Sequence, residues 1–159
     1  MHRNVLFAAL ALALPTPAWA GDAMDTFHLG AHFCGFVQDG EKVMRLDALI
    51  TPSLAVAISE ALARSDAIQA ASPDEKPPLG DGIPWTSWPD RPDTCTIGAA
   101  DISADQATLP ITYAFEGAPD AAYTDILLLS REVGTWRIND ILLADEQRLR
   151  TVIVAAFEN

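Results

Sequence analysis

Positive charge is what this sequence has least of: 10 lysines and arginines stand against 22 aspartates and glutamates, a formal net charge of −12 over 159 residues. Such a surface repels phosphate backbones and so excludes nucleic acid as a natural partner, while it speeds encounter with a basic protein, a cationic peptide or a metal ion. The same acidity also keeps a secreted domain in solution. Cysteine is almost absent. Cys34 and Cys95 are the only two, and two thiolates do not complete a tetrahedral metal shell. No apolar run reaches membrane-spanning length: Val5 to Leu14 is about half of the roughly 20 residues a span requires. Internal repeats and low-complexity tracts are also lacking.

That short apolar run has its own meaning. Arg3 precedes it, Pro15 and Pro17 end it, and Ala18-Trp19-Ala20 fits the small-x-small rule for cleavage before Gly21. The first 20 residues therefore read as a secretory signal peptide. No cysteine follows the cleavage site and no twin arginine precedes it, so the expected product is a periplasmic or secreted chain without a lipid or membrane anchor. In an oxidising compartment Cys34 and Cys95 are expected to pair. The loop so closed, roughly 60 residues long, stabilises the fold by about 4 kcal/mol in the chain-entropy account.

Residues 21 to 159 are expected to form one α+β domain, with a core large enough to need no cofactor. Asp22 to Gln38 reads as a largely buried helix with Phe27, Ala31, Cys34 and Gln38 on one flank, and Glu41 to Ile50 as a shorter second helix. Thr51-Pro52 starts a third, with threonine as N-cap and proline in the first turn. Leu54, Ala57, Ile58, Ala61, Leu62 and Ile68 then follow at helical spacing. Six prolines and two glycines between Ala70 and Thr94 forbid regular structure. The rest alternates as strands: Thr94 to Ile102, Ala107 to Glu116, and a hairpin of Ala121 to Arg131 with Thr135 to Leu143 about Glu132-Val133-Gly134. Pro110 cannot donate to a ladder and marks a bulge or unpaired edge. In the last strand, alternation from Trp136 and Ile138 would turn Asp140 inward and Ile141 outward, which a bulge near Asn139-Asp140 repairs. A helix over Asp145 to Phe157, capped by Asp145, closes the chain.

Helices followed by an antiparallel meander must cover one face of the sheet. The segment Gly134-Thr135-Trp136-Arg137-Ile138-Asn139-Asp140-Ile141 resembles the signature that ends many nuclear transport factor 2-like (cystatin-like, cone-shaped α+β) domains. With the export signal, the aspartate-, proline- and tryptophan-rich loop and Arg148-Leu149-Arg150, the chain is similar to a bacterial periplasmic family of that fold, itself without assigned chemistry. The order of elements gives three N-terminal helices on a curved antiparallel sheet, and the resemblance implies Trp136 and Ile138 in the core, Asp140 at a bulge or cap, and no catalytic residue. Its fold hosts enzymes and binding domains alike.

Three constellations carry functional readings. His28 and His32 lie one helical turn apart with Asp25 a turn earlier, a partial zinc or copper site or simply a polar helix stripe. Without HExxH or a distant ligand, no metal site is assigned. Proton transfer in an apolar cone would use Tyr113 with Asp101 or Asp125, in a pocket lined by Tyr113 and Trp136; aspartates in strands more often face solvent. The loop Asp81 to Asp93 is the strongest lead: Trp85 and Trp88 are rigid aromatic anchors, set among Asp81, Asp90 and Asp93, unless both rings fold back over the core. The expectation is an exported, non-catalytic binding or accessory protein, an inhibitor or immunity-like protein for a basic partner. The alternative is an enzyme or ligand-binding protein using the cone. A monomer or a homodimer fits equally, since Thr108, Thr112 and Arg137 leave the outward sheet face without a plain apolar character.

Overall fold

A computed structural model of the chain describes residues 18–39 and 46–158. Helix α1 runs Ala18–Asp39 and α2 Pro52–Ala71. The strands β1 Thr94–Ile97, β2 Asp101–Ser103, β3 Gln106–Ala114, β4 Tyr123–Glu132 and β5 Thr135–Leu142 follow, and α3 Leu149–Ala155 closes the order. The architecture is α+β, with an open antiparallel sheet ordered β1-β3-β4-β5 and β2 beside β3. Two helices precede the sheet, not three. Of the helix expected over residues 41–50, positions 41–45 lie outside the described residues. Leu46–Ala48 form one 3-10 turn, and the next backbone joins the sheet. Leu49 accepts from the Ile138 N–H at 2.8 Å, and the Thr51 N–H donates to Ile138 at 2.9 Å.

Each element follows from local chemistry. Thr51 sits at φ −68°, ψ 150°, its Oγ1 accepts from the Leu54 N–H at 3.2 Å, and Pro52 opens α2 where no amide donor is needed. Helix α1 buries Thr26, Leu29 and Phe33, spaced three and four apart as one face demands, with Cys34 beside Phe33. Phe27 and Ala31 fall on the other side and are exposed, so α1 is covered on one face rather than largely buried. Gly30 is where α1 comes closest to the sheet: a Cβ there would stand 2.9 Å from Leu109 Cδ2 and 3.0 Å from Ile97 Cγ2. Beside it the Cys34–Cys95 disulfide joins α1 to β1 with the two Cα atoms 5.7 Å apart.

In β3 the buried residues alternate as Ala107, Leu109, Ile111 and Tyr113, and in β4 as Asp125, Leu127 and Leu129. That face meets the helices, with Phe33, Leu54, Leu149 and Ile153 packed among the strand side chains. Thr108, Thr112 and Thr124 occupy the other face with the half-buried Ile126, Leu128 and Leu142. Where one edge strand was expected over residues 94–102 there are two. Gly98 donates to Pro110 at 2.8 Å, but proline returns no N–H, and the ladder breaks into β1 and β2 opposite it.

The hairpin pairs Glu132 with Thr135 and turns through Val133 (φ 49°) and Gly134 (φ 80°). Two left-handed residues make the primed turn that matches strand twist. The expected bulge is present: Leu129 pairs with Ile138 and Leu128 with Asp140, so Asn139 is the additional residue and Ile141 returns to the core. Asp140 accepts from the N–H groups of Ile141 (2.9 Å) and Arg150 (3.2 Å). It thereby caps α3, whose own N-cap, Arg148, makes no side-chain cap bond. The final helix is accordingly shorter than expected, and Asp145 instead closes a local turn to the Gln147 N–H at 3.1 Å.

Candidate functional site

The proline-rich loop is built to a definite shape. Pro84, Pro89 and Pro92 each fix φ, and its ends and middle are tied to neighbouring elements. Lys76 pairs with Asp81 at 2.5 Å. Asp93 donates its N–H to Ala114 at 3.0 Å, accepts from the Glu116 N–H at 2.6 Å, and its carbonyl accepts from Gln38 at 3.0 Å. The middle is pinned by Asp125, whose carboxyl is fully enclosed. The Ser87 N–H reaches Oδ2 at 3.0 Å and the Ser87 hydroxyl reaches Oδ1 at 2.5 Å. The Ala144 N–H donates to the Ser87 hydroxyl at 2.8 Å and to the carboxylate at 3.1 Å. One strand carboxyl thus ties together the loop, the sheet and the segment leaving β5.

The two tryptophans part company on this frame. Trp85 is half-buried and sets its ring edge-on against Phe36, with centroids 5.8 Å apart and planes at 88°. Trp88 is 56% exposed, its carbonyl accepting from the Thr86 hydroxyl at 2.7 Å. Trp88 and Asp90 line a trough of about 580 Å³ with Phe115, Asp120 and Tyr123. The Phe115 and Tyr123 rings are near-parallel, at 27° and 6.3 Å. Asp81 and Trp85 lie instead on a cleft of about 410 Å³ on the α1 side of the loop, with Phe36 and Arg91. Of the five loop residues expected to act together, only Trp88 and Asp90 share the trough, and Asp90 also borders the cleft beside Asp81 and Trp85.

The proton-transfer constellation is only partly assembled. Tyr113 pairs with Tyr123 across the sheet, their ring centroids 4.9 Å apart, and both face the same side as Asp125. Asp125 therefore points inward, against the expectation for strand aspartates. Burial raises its carboxyl above the ordinary value, aided by Asp145, while the bonds from Ser87 and Ala144 oppose the rise. Tyr113 is pushed far above an ordinary phenol by burial first and by the charges of Asp125 and Tyr123 second. Tyr123 is also raised, chiefly by burial; Thr86 and the Trp88 backbone oppose this, though neither stands in hydrogen-bonding geometry to its hydroxyl. Among the described residues the Tyr113 hydroxyl has no hydrogen-bond partner either, and neither Tyr113 nor Asp125 lines the trough or the α1-side cleft. A substrate at either surface does not meet the Tyr113–Asp125 pair.

The other expected residues lie elsewhere. Asp101 is exposed opposite Thr108 on the outer face. Trp136 is buried at the far end of the sheet from Tyr113. Their β4 partners, Arg131 and Tyr123, are eight residues apart, or about 26 Å. Trp136 instead donates to Asp22 at 3.4 Å and stacks beneath Arg131 (4.4 Å), which pairs with Asp22 at 2.7 Å. Arg131 holds the Asp22 carboxyl below its ordinary value. Asp25, His28 and His32 are all exposed on α1, and among the described residues no three His, Cys, Asp or Glu side chains converge to hold a metal ion.

Ser87, Phe115, Asp120 and Tyr123 were not singled out from sequence. Phe115 continues the Tyr113 parity, which was the available signal; the Gly117–Asp120 stretch reads locally as a mere turn. Comparison of the chain with family models, with curated proteins and with solved structures found no match.

Proposed function

We propose that this is an exported, non-catalytic binding protein that meets a basic partner through the loop 81–93, as an inhibitor or immunity-like protein would, on a nuclear transport factor 2-like frame. The observation that carries this reading is Trp88: a large ring more than half exposed on a loop that hydrogen bonds fix at its middle and at its C-terminal end. An aromatic presented without conformational freedom loses little entropy on contact, the economy that binding hot spots use. The net charge of −12 supplies steering toward a cationic surface. Export is supported by the N-terminal pattern and by the disulfide, which persists in oxidising compartments. Among the described residues no helix is long and apolar enough to cross a membrane.

The enzyme reading has one observation in its favour, the shared face of Tyr113 and Asp125. Their enclosure beneath the loop counts against it, because proton transfer needs a substrate within hydrogen-bond reach. The test is capture on immobilised chain from residue 21 onward, at low and high salt, beside its Trp88→Ala variant. A steered partner is retained at low salt, released at high salt and lost in the variant. Identical proteins captured by both chains would sink the assignment of this loop.

A further inference from the structure

We infer that the trough between Trp88 and the β3–β4 connection receives an arginine side chain of the partner protein, an inference that rests on the binding role of the loop. Three rings, Trp88, Phe115 and Tyr123, line it together with the carboxylates of Asp90 and Asp120. Among the described residues neither carboxylate is engaged in an ion pair. Arg91, the nearest cation in sequence, lines the cleft on the other side of the loop, which Asp90 also borders, and does not line the trough.

This combination selects one chemistry. Apolar partners would leave two carboxylates uncompensated, and anions are repelled by them. A cation of either kind is attracted, but the two basic side chains differ in how they use such a site. A lysine ammonium is a compact, strongly hydrated charge that prefers water to an aromatic face. A guanidinium is planar and weakly hydrated, so it stacks on a ring while its edge forks to a carboxylate. The trough offers rings and carboxylates together, and its volume of about 580 Å³ accommodates the methylene stem with part of the partner's backbone. The site is also formed before the partner arrives. Thr86 and Ser87 fix the loop immediately before Trp88, and Asp93 bonds to the Glu116 N–H, next to Phe115. The backbone that carries Trp88 and Phe115 is therefore set by the fold rather than by contact.

The test uses two peptides of equal charge, acetyl-Gly-Arg-Arg-Gly-amide and acetyl-Gly-Lys-Lys-Gly-amide, titrated into the chain from residue 21 onward and followed by amide chemical shifts. The arginine peptide should bind at least about fivefold more tightly, with shifts centred on Trp88, Phe115 and Asp120. Trp88→Leu, which keeps an apolar side chain, should abolish the preference, and the double variant D90N/D120N should weaken arginine binding at least about tenfold. Equal affinities for the two peptides, unaffected by Trp88→Leu, would overturn the inference as diffuse attraction while leaving the binding role intact. If neither peptide binds while Trp88→Ala still loses the captured partner, only the arginine assignment falls. If Trp88→Ala also captures as before, both fall.

Discussion

Replacing Asp125 by alanine is expected to cost about 2–4 kcal/mol, because this carboxyl is where three separate parts of the chain meet. Removing it leaves the Ser87 N–H and the Ser87 hydroxyl short of an acceptor, while the Ala144 N–H keeps its bond to the Ser87 hydroxyl. A buried donor so stranded costs about 1–3 kcal/mol. Ala144 is exposed and can turn to water, so the loss concentrates on the Ser87 amide and the space the carboxyl filled. At about 3 °C per kcal/mol for a chain of this size, the variant should melt roughly 6–12 °C lower. Asparagine at the same place separates charge from contact. Burial raises the Asp125 carboxyl above its ordinary 3.8, so the folded chain holds the proton more tightly than the unfolded one. Its contribution to stability is therefore fully present below pH 3.8 and declines as pH rises through the folded value. Asp125→Asn lacks that decline and should gain on the natural chain across the window, with a constant difference above it. Taking the difference also removes Asp22, whose carboxyl is lowered by Arg131 and acts oppositely, its stabilisation being lost as pH falls. Urea unfolding of the three chains at several pH values between roughly 3.5 and 7.5 measures all of this. A loss under about 1 kcal/mol for the alanine variant, or parallel profiles for the other two, would refute the reasoning.

Trp85→Ala should destabilise by about 2 kcal/mol, since its ring packs on Phe36, whereas Trp88→Ala should stay within about 0.5 kcal/mol; thermal melts of the two variants decide it. Reducing the Cys34–Cys95 bond, or replacing both cysteines by serine, should lower stability by about 4 kcal/mol. Mass spectrometry with and without reductant verifies the bond itself. Val133→Asn should raise stability by about 1 kcal/mol, because a β-branched residue at φ 49° is strained where asparagine is tolerated; an unchanged or lowered unfolding midpoint would contradict that account.

Where a residue's role is set by its neighbours in sequence, it was legible. Thr51 and Pro52 announced the start of α2, the Val133-Gly134 reversal announced the hairpin, Pro110 announced an unpaired edge, and the misfit of Asp140 announced the bulge. Where the role is set across the fold, it was not. Leu49 and Ile50 look helical beside their neighbours yet pair with Ile138, far along the chain. Asp145 looks like a cap, but Asp140, ten residues before Arg150, does the capping. Asp125 shares parity with Leu127 and Leu129, and that alternation was a better guide than the general preference of aspartate for water. The trough was half legible. Trp88 and Asp90 stood out, while Phe115, Asp120 and Tyr123 reach it from strand ends whose meeting with the loop depends on the Asp125 bonds.

The interruption at Pro110 also bears on how this chain lives among others. On one margin of the sheet the available backbone comes only as β1 and β2, four and three residues long, the longer of them fastened by sulfur to a helix. On the other margin, Leu49 to Thr51 already occupies Ile138 and Arg148 occupies Leu142. A stray extended segment therefore finds no continuous ladder to join, and accidental strand addition, the common hazard of open sheets, is frustrated at both borders by the chain's own backbone.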